Sequence, residues 1–275
     1  MNAQEYILSK QIQWARNHGI NLVGSKPNRG RPAYTRTINE NIFEPLRADV
    51  KKCFENGDGG ELSGNPSKMQ AVHSSSALCV NIFQYWINVN QMPEISYACG
   101  FSRKATKISQ EIVFEAKYPI DEKFQYSPNI YVVIKNKPTS QYKVFAIECK
   151  FSEAYSNRGH SGIKDKYFDL NIWGDIPNLY KLARSISQND DKFIHLHPAQ
   201  IIKHVLGLKK EFGKSGFKLL YLWYDSLGCE GATHREEVES FAQIAASDNI
   251  HFHALSYQEL IIRLCDEYRN LHKSF

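Results

Sequence analysis

Hydrophobic and polar positions alternate most clearly in the middle of the chain. In "VFAIECKF" (144–151), Phe145, Ile147, Cys149 and Phe151 fall on one side of an extended strand, and Val144, Ala146, Glu148 and Lys150 on the other. The first side reads as core. The second starts small and ends in two opposite charges. Two earlier segments follow the same rule. "NIYVVIKN" (129–136) sets Ile130, Val132 and Ile134 against Asn129, Tyr131 and Val133. "EIVFEAKY" (111–118) sets Ile112, Phe114 and Ala116 against Glu111, Val113, Glu115 and Lys117. Pro, Ser, Asn and Thr separate the three, as they separate strands. "FKLLYLWYD" (217–225) is nearly continuous in apolar residues, the pattern of a strand buried on both faces, and "NIHFHAL" (249–255) reads as a short strand.

Elsewhere the period is helical. Residues 4–17 predict a helix, and Thr37 with Glu40 forms a capping box that predicts another through Ile42, Phe43, Leu46 and Val50. The turn-rich "ENGDGGELSGNPS" is followed by an expected helix over 69–88 that contains "HSSSALCVNIFQYW". Further helices are expected near 176–187 and from Pro198 onward. Thr233 with Glu236 predicts a capped helix to Ala246, and Ser256 with Glu259 caps the last one. On that last helix Leu260, Ile261, Leu264, Cys265, Tyr268 and Leu271 form one apolar stripe. The order predicts an α/β fold: a mixed central sheet flanked by helices over 101–275, with a mainly helical region, 1–100, packed on it.

Composition changes this picture little. The 275 residues are 42% hydrophobic and 23% charged, as in an ordinary globular protein. A net charge of +5 is compatible with a nucleic-acid partner without requiring one. The loop "GSKPNRGRPAYTR" (24–36) concentrates Lys26, Arg29, Arg31 and Arg36 with no acid among them. It reads either as a solvated connector or as an arm contacting phosphates. Six widely spaced cysteines exclude a zinc knuckle and a disulfide framework. The longest apolar stretch, "LLYLWY", is far too short to span a bilayer, so a cytoplasmic setting without membrane is expected.

Taken alone, Glu148 and Lys150 read as an ion pair on a solvated strand edge. The polar sides of the three successive strands, however, offer Glu115, Asn129, Tyr131, Glu148 and Lys150 to one surface. This arrangement resembles the PD-(D/E)XK nuclease superfamily, whose pattern is Pro-Asp or a lone Asp on one strand and (D/E)-x-K ending the next. "AIECKF" after "SPNI" matches its second half. The ordered series "DGGEL", "HSSSALCVNIF", "FE", "PNI-VVI", "IECKFSE" and "QIIKHVLGL", over about residues 55–265, resembles bacterial members of that superfamily.

The resemblance implies a restriction-endonuclease-like fold and Mg²⁺- or Mn²⁺-dependent hydrolysis of double-stranded DNA, of restriction or defence type. It implies Glu148 as a metal ligand and Lys150 as the residue that positions the attacking water, with Glu115 and Asn129 as the further metal ligands this chain offers. Tyr131 or Asn129 would complete the catalytic set. Arg29, Arg31, Gln200 and Lys203 are candidates for nucleic-acid contacts, and Gln200, Lys203 and His204 share a helix face that either meets DNA or orients the site. A homodimer would suit double-strand cleavage.

One departure stands against these matches. Where the motif has aspartate the chain has Asn129 in one register and Tyr131 in the other. Three readings stay open: a catalytically dead nucleic-acid-binding domain of the same fold, an altered metal site that uses Glu115, or an aspartate removed on purpose. A structural domain with an ordinary ion pair is the reading outside nucleic acids. Other chemistry has weaker support. Glu61 in "DGGEL" is either a further acidic ligand or a turn residue. The serines after His73 read as a helix cap, and His195 with His197 lack a third metal ligand at suitable spacing.

Overall fold

The computed structural model describes residues 1–23, 33–103, 106–156 and 159–268. Lys26, Arg29 and Arg31 of the basic loop lie outside the described residues. Five strands form one sheet in the order β1-β2-β3-β6-β7. The strands β1 (Ser109–Lys117), β2 (Asn129–Asn136) and β3 (Val144–Lys150) pair antiparallel, while β3, β6 (Phe217–Trp223) and β7 (Phe252–Ser256) run parallel. A separate two-stranded ribbon pairs β4 (His160–Ser161) with β5 (Asn189–Asp190). The mixed, helix-flanked sheet expected from the alternation is therefore present.

Parallel neighbours need crossovers, and helices supply them. α5 (Pro177–Ser185) and α6 (Pro198–Phe212) link β3 to β6, and α7 (Cys229–Ser247) links β6 to β7. These three pack with Val144, Ala146, Leu219, Tyr221 and Trp223 on one sheet face. The other face carries Phe145, Ile147, Cys149, Leu220 and Leu222. It is covered by α2 (Ala48–Asn56), α3 (Ser75–Asn88), α4 (Met92–Ala98) and α8 (Tyr257–Tyr268). Every residue of β3 is buried, so its charged side is no solvated edge. The first helix, α1 (Ala3–Asn17), packs Ala3 and Ile7 into the core on the α6 side.

Several expectations need correction. The Thr37–Glu40 capping box forms, but it opens only a 3₁₀ turn, Ile38–Glu40. Pro45 disfavours helix at the residue before it and has no N–H to give, so α2 starts at Ala48. The helix expected over 69–88 begins at Ser75, because the Ser74 hydroxyl accepts from Ala77 N at 3.2 Å and fixes the start there. Thr233 caps nothing: α7 opens four residues earlier, after Gly228 at φ +88°. That turn is tight; a Cβ on Gly231 would meet the Ser226 carbonyl oxygen at 1.7 Å. The Ser256–Glu259 box forms as expected, with Glu259 N donating to Ser256 Oγ at 3.1 Å. Ile261, placed on the apolar stripe of α8, is exposed, while Leu260, Leu264 and Tyr268 are buried. Phe151 leaves the Phe145 face and packs on the opposite side. Among the described residues no helix is long and apolar enough to cross a membrane.

Candidate active site

Glu148 and Lys150 project from the end of β3 toward α6. Alternate residues of a strand stand about 6.6 Å apart, close to the roughly 6 Å rise between helix positions four apart. Gln200 and His204 have that helical spacing, and each meets one member of the pair. Lys150 Nζ donates to Gln200 Oε1 at 2.8 Å, and His204 Nε2 donates to Glu148 Oε2 at 3.0 Å. Within the pair, Lys150 Nζ lies 2.8 Å from Glu148 Oε1. Glu148 is 0% exposed and Lys150 9%. Burial alone would push the Glu148 carboxyl up, but the charges of Lys150 and His204, and the His204 hydrogen bond, hold it at about 2. Burial likewise works against the Lys150 ammonium, yet Glu148 and then Glu153 hold its pKa above the ordinary lysine value.

The neighbouring edge is built differently. Glu115 has φ +51°, a left-handed conformation uncommon for a residue with a side chain. Around it the alternation of β1 and β2 reverses, although the pairing register continues unchanged from Ile112↔Ile134 to Lys117↔Asn129. Phe114 and Val132 pack on the α3 side, whereas Ala116 and Ile130 pack on the α6 side. The expected single core face of Ile112, Phe114 and Ala116, and that of Ile130, Val132 and Ile134, are thus each split. Tyr131, expected opposite Phe145, packs against the Phe145 cluster instead.

This reversal joins Glu115 to Asn129, whose Nδ2 donates to Glu115 Oε2 at 3.1 Å. Burial pushes the Glu115 carboxyl up to about 7; Glu61 and Glu148 add to the rise, and Asn129 and Lys117 oppose it. Tyr131 is linked to the β3 pair by Lys150, whose Nζ lies 5.9 Å from the centre of its ring. Its hydroxyl is held far above the usual tyrosine range by burial and by Glu153, Glu148, Glu61 and Glu115. Contacts thus join Glu115 to Asn129, and Glu148 to Tyr131 through Lys150, and Glu148 acts on the Glu115 carboxyl through its charge.

The sequence reading missed Glu153. It lies on the 3₁₀ turn Ser152–Tyr155 just past β3, and its two carboxylate oxygens, each 2.5 Å from Ser75 Oγ, share that hydroxyl's proton. Phe151 N also donates to Glu153 Oε2, at 3.1 Å. The only signal was its place in "IECKFSE". Ser74 and Ser75 have cap and anchor roles, as the helix-cap reading expects. Glu61 pairs with Lys68 at 3.7 Å. Lys203, grouped with Gln200 and His204, turns away from the pair toward Tyr167, with Nζ 5.6 Å from that ring. His195 bonds the Ala154 carbonyl and His197 the Ser161 carbonyl.

Two buried acceptor oxygens here have no hydrogen-bond donor, Asn129 Oδ1 and Glu148 Oε1. The Lys150 ammonium is close to the second but outside hydrogen-bond geometry. A hard divalent cation takes oxygen ligands of this kind, carboxylate and amide carbonyl. The donors thus fit such an ion in type, although among the described residues no three His, Cys, Asp or Glu side chains cluster closely enough to hold one by themselves.

No curated protein and no solved structure matches the chain. A family model does, from residue 3 to residue 275, under the description "Restriction Endonuclease associating with ARP". A match over nearly the whole chain joins the Glu-x-Lys strand and the helix that clamps it to one assignment: the protein belongs to this restriction-endonuclease family.

Proposed function

We propose that the protein hydrolyses phosphodiester bonds in DNA with Mg²⁺ or Mn²⁺, at the end of β3. The observation that carries the reading is the buried Glu148–Lys150 pair, held from α6 by Gln200 and His204 beside two acceptor oxygens without donors. Glu148, Glu115 and the amide oxygen of Asn129 are the ligands available to the ion. When bound, such an ion neutralises phosphate charge and acidifies water.

The chain's own residues do the rest. An ammonium has three protons to donate. Gln200 takes one from Lys150 and Glu148 lies against a second, which leaves the third for a water or a phosphate oxygen. Because Glu148 and Glu153 keep Lys150 charged, it can stabilise negative charge as that charge develops. His204 and Lys150 keep Glu148 ionised and oriented, which a cation ligand requires.

A second reading, a DNA-binding domain without catalysis, is favoured by one fact. Positions 129 and 131 hold Asn and Tyr, so the motif lacks one carboxylate. Cleavage of supercoiled plasmid in Mg²⁺ or Mn²⁺, run beside a gel shift in Ca²⁺, decides between them. Metal-dependent nicking that disappears in Lys150→Ala supports hydrolysis. Binding without nicking supports the second reading, and the absence of both binding and nicking overturns the two together.

A further inference from the structure

Beside the catalytic neighbourhood lies a group of lysines with no part in it. Lys164 and Lys166 flank Asp165 on the short turn Asp165–Tyr167, and Lys203 stands one helical turn beyond Gln200 on α6. Lys166 Nζ is 4.2 Å from the centre of the Phe124 ring and 5.5 Å from that of Tyr167; Lys203 Nζ is 5.6 Å from the same Tyr167 ring. The ammonium groups of Lys166 and Lys203 thus lie over aromatic rings and keep N–H protons for another acceptor.

Some lysines of the fold have a carboxylate partner, as Lys117 has Asp58, Lys135 has Glu111 and Lys209 has Asp175. Among the described residues none of Lys164, Lys166 and Lys203 has a carboxylate partner within 4.0 Å. Asp165 is engaged elsewhere, by Gln188 Nε2 at 3.2 Å and Ser187 Oγ at 3.4 Å.

The platform beneath them is fixed. Tyr167 is 7% exposed, and its carbonyl accepts from Trp173 Nε1 at 2.8 Å. The uncompensated charge also registers on neighbours. Lys203 is pulled below the usual lysine value by burial and then by Lys164 and Lys166. His197 is lowered to about 4 by burial first, then by His160, with Lys150 and Lys203 adding to it.

We propose that Lys203 and Lys166, seated on Tyr167 and Phe124, together with Lys164 next to them in sequence, form a backbone track that binds successive phosphates of the nucleic-acid strand leaving the Glu148–Lys150 site. This rests on reading that site as one for phosphodiesters. A polyanion would relieve the mutual repulsion of the three lysines and replace the counterions they hold.

The test is fluorescence anisotropy of a short labelled duplex in Ca²⁺ over a range of salt. DNA and RNA duplexes are run in parallel, since both present the same phosphates. In Lys164→Gln/Lys166→Gln/Lys203→Gln the slope of log K against log salt should become shallower by roughly 0.9 for each phosphate the variant no longer neutralises. For a fourfold rise in salt, each such phosphate makes the fall in affinity about 3.5-fold smaller. Lys143→Gln, before the far end of β3, should leave the slope unchanged. Lys166→Gln alone, on an exposed side chain, keeps the test informative if the triple variant fails to fold. A wild-type slope in a folded variant overturns the track while leaving the proposed nuclease reading in place. Absence of duplex binding by the wild type overturns both.

Discussion

Glu148 and Glu115 are both glutamates set into one sheet, yet one titrates at about 2 and the other at about 7. Burial raises both. The difference is in the neighbours: Glu148 has an ammonium and an imidazole within hydrogen-bond reach, whereas Glu115 has an amide and two further carboxylates in its field. The β3–α6 half has its charge matched before anything binds, although Glu148 Oε1 has no hydrogen-bond donor. The β1–β2 edge is short of positive charge and keeps an acceptor, Asn129 Oδ1, without a donor. Such a contrast is what a site for a cation looks like when the protein supplies only part of the balance.

The charge-matched half should be the more fragile under mutation. Glu148→Gln leaves Lys150 buried without its counter-charge, and breaking a buried pair on one side costs about 3–5 kcal/mol. Urea unfolding at neutral pH should show that loss. Lys150→Met combined with Glu148→Gln should lose less than the sum of the two single changes, because the pair is removed together. The stabilising effect of Glu148 is fully present above its unfolded value of 4.5 and is lost as pH falls through about 2. A loss of under about 1 kcal/mol in Glu148→Gln, the range of an exposed pair, would mean that the two halves differ less than their geometry indicates.

The next change fills in the incomplete half. Asn129→Asp replaces the amide donor to Glu115 with a second acceptor, so without divalent cations it should cost roughly 2 kcal/mol. Adding Mg²⁺ should return that stability and more, read as a rise in Tm that wild type shows only weakly. Tyr131→Asp tests the other register, placing a carboxylate within the field of Glu153, Glu148, Glu61 and Glu115. Whichever variant gains both the Mg²⁺-dependent shift and metal-dependent nicking identifies the register of the missing acid. If neither responds to Mg²⁺, the edge is not a metal site.

Part of this contrast was legible in the amino-acid pattern. Period-two alternation put Glu148 and Lys150 on one side of β3, and their two-residue spacing matched polar positions four apart in "QIIKH". Burial of that charged side was not legible, because α6 covers it only through the crossover to β6. The reversal at Glu115 was hidden too. Positive φ at a glutamate is imposed by tertiary packing and leaves no mark in residue type. Glu153 was passed over because the turn after β3 has no period to reveal a facing side chain. Pro45 was readable as a helix stop, but the capping box before it drew the expected helix across it.

The smallest effect isolates Glu115 itself. Its folded value of about 7 lies above the ordinary 4.5, so the folded protein favours the protonated acid. Folding therefore loses stability as pH rises from 4.5 through about 7, and above that the cost stays constant. Glu115→Gln, which cannot ionise, should match wild type near pH 4 and exceed it at pH 8 by about 1–2 kcal/mol, allowing for the side chain's partial exposure. Mg²⁺ should reverse the order at pH 8, since the ion binds the ionised carboxylate and favours wild type alone. Metal affinity in wild type should accordingly climb with pH across the region near 7, a trend that calorimetric titration measures and Glu115→Gln should flatten. A variant that tracks wild type at both pH values, with and without Mg²⁺, would place Glu115 outside the site.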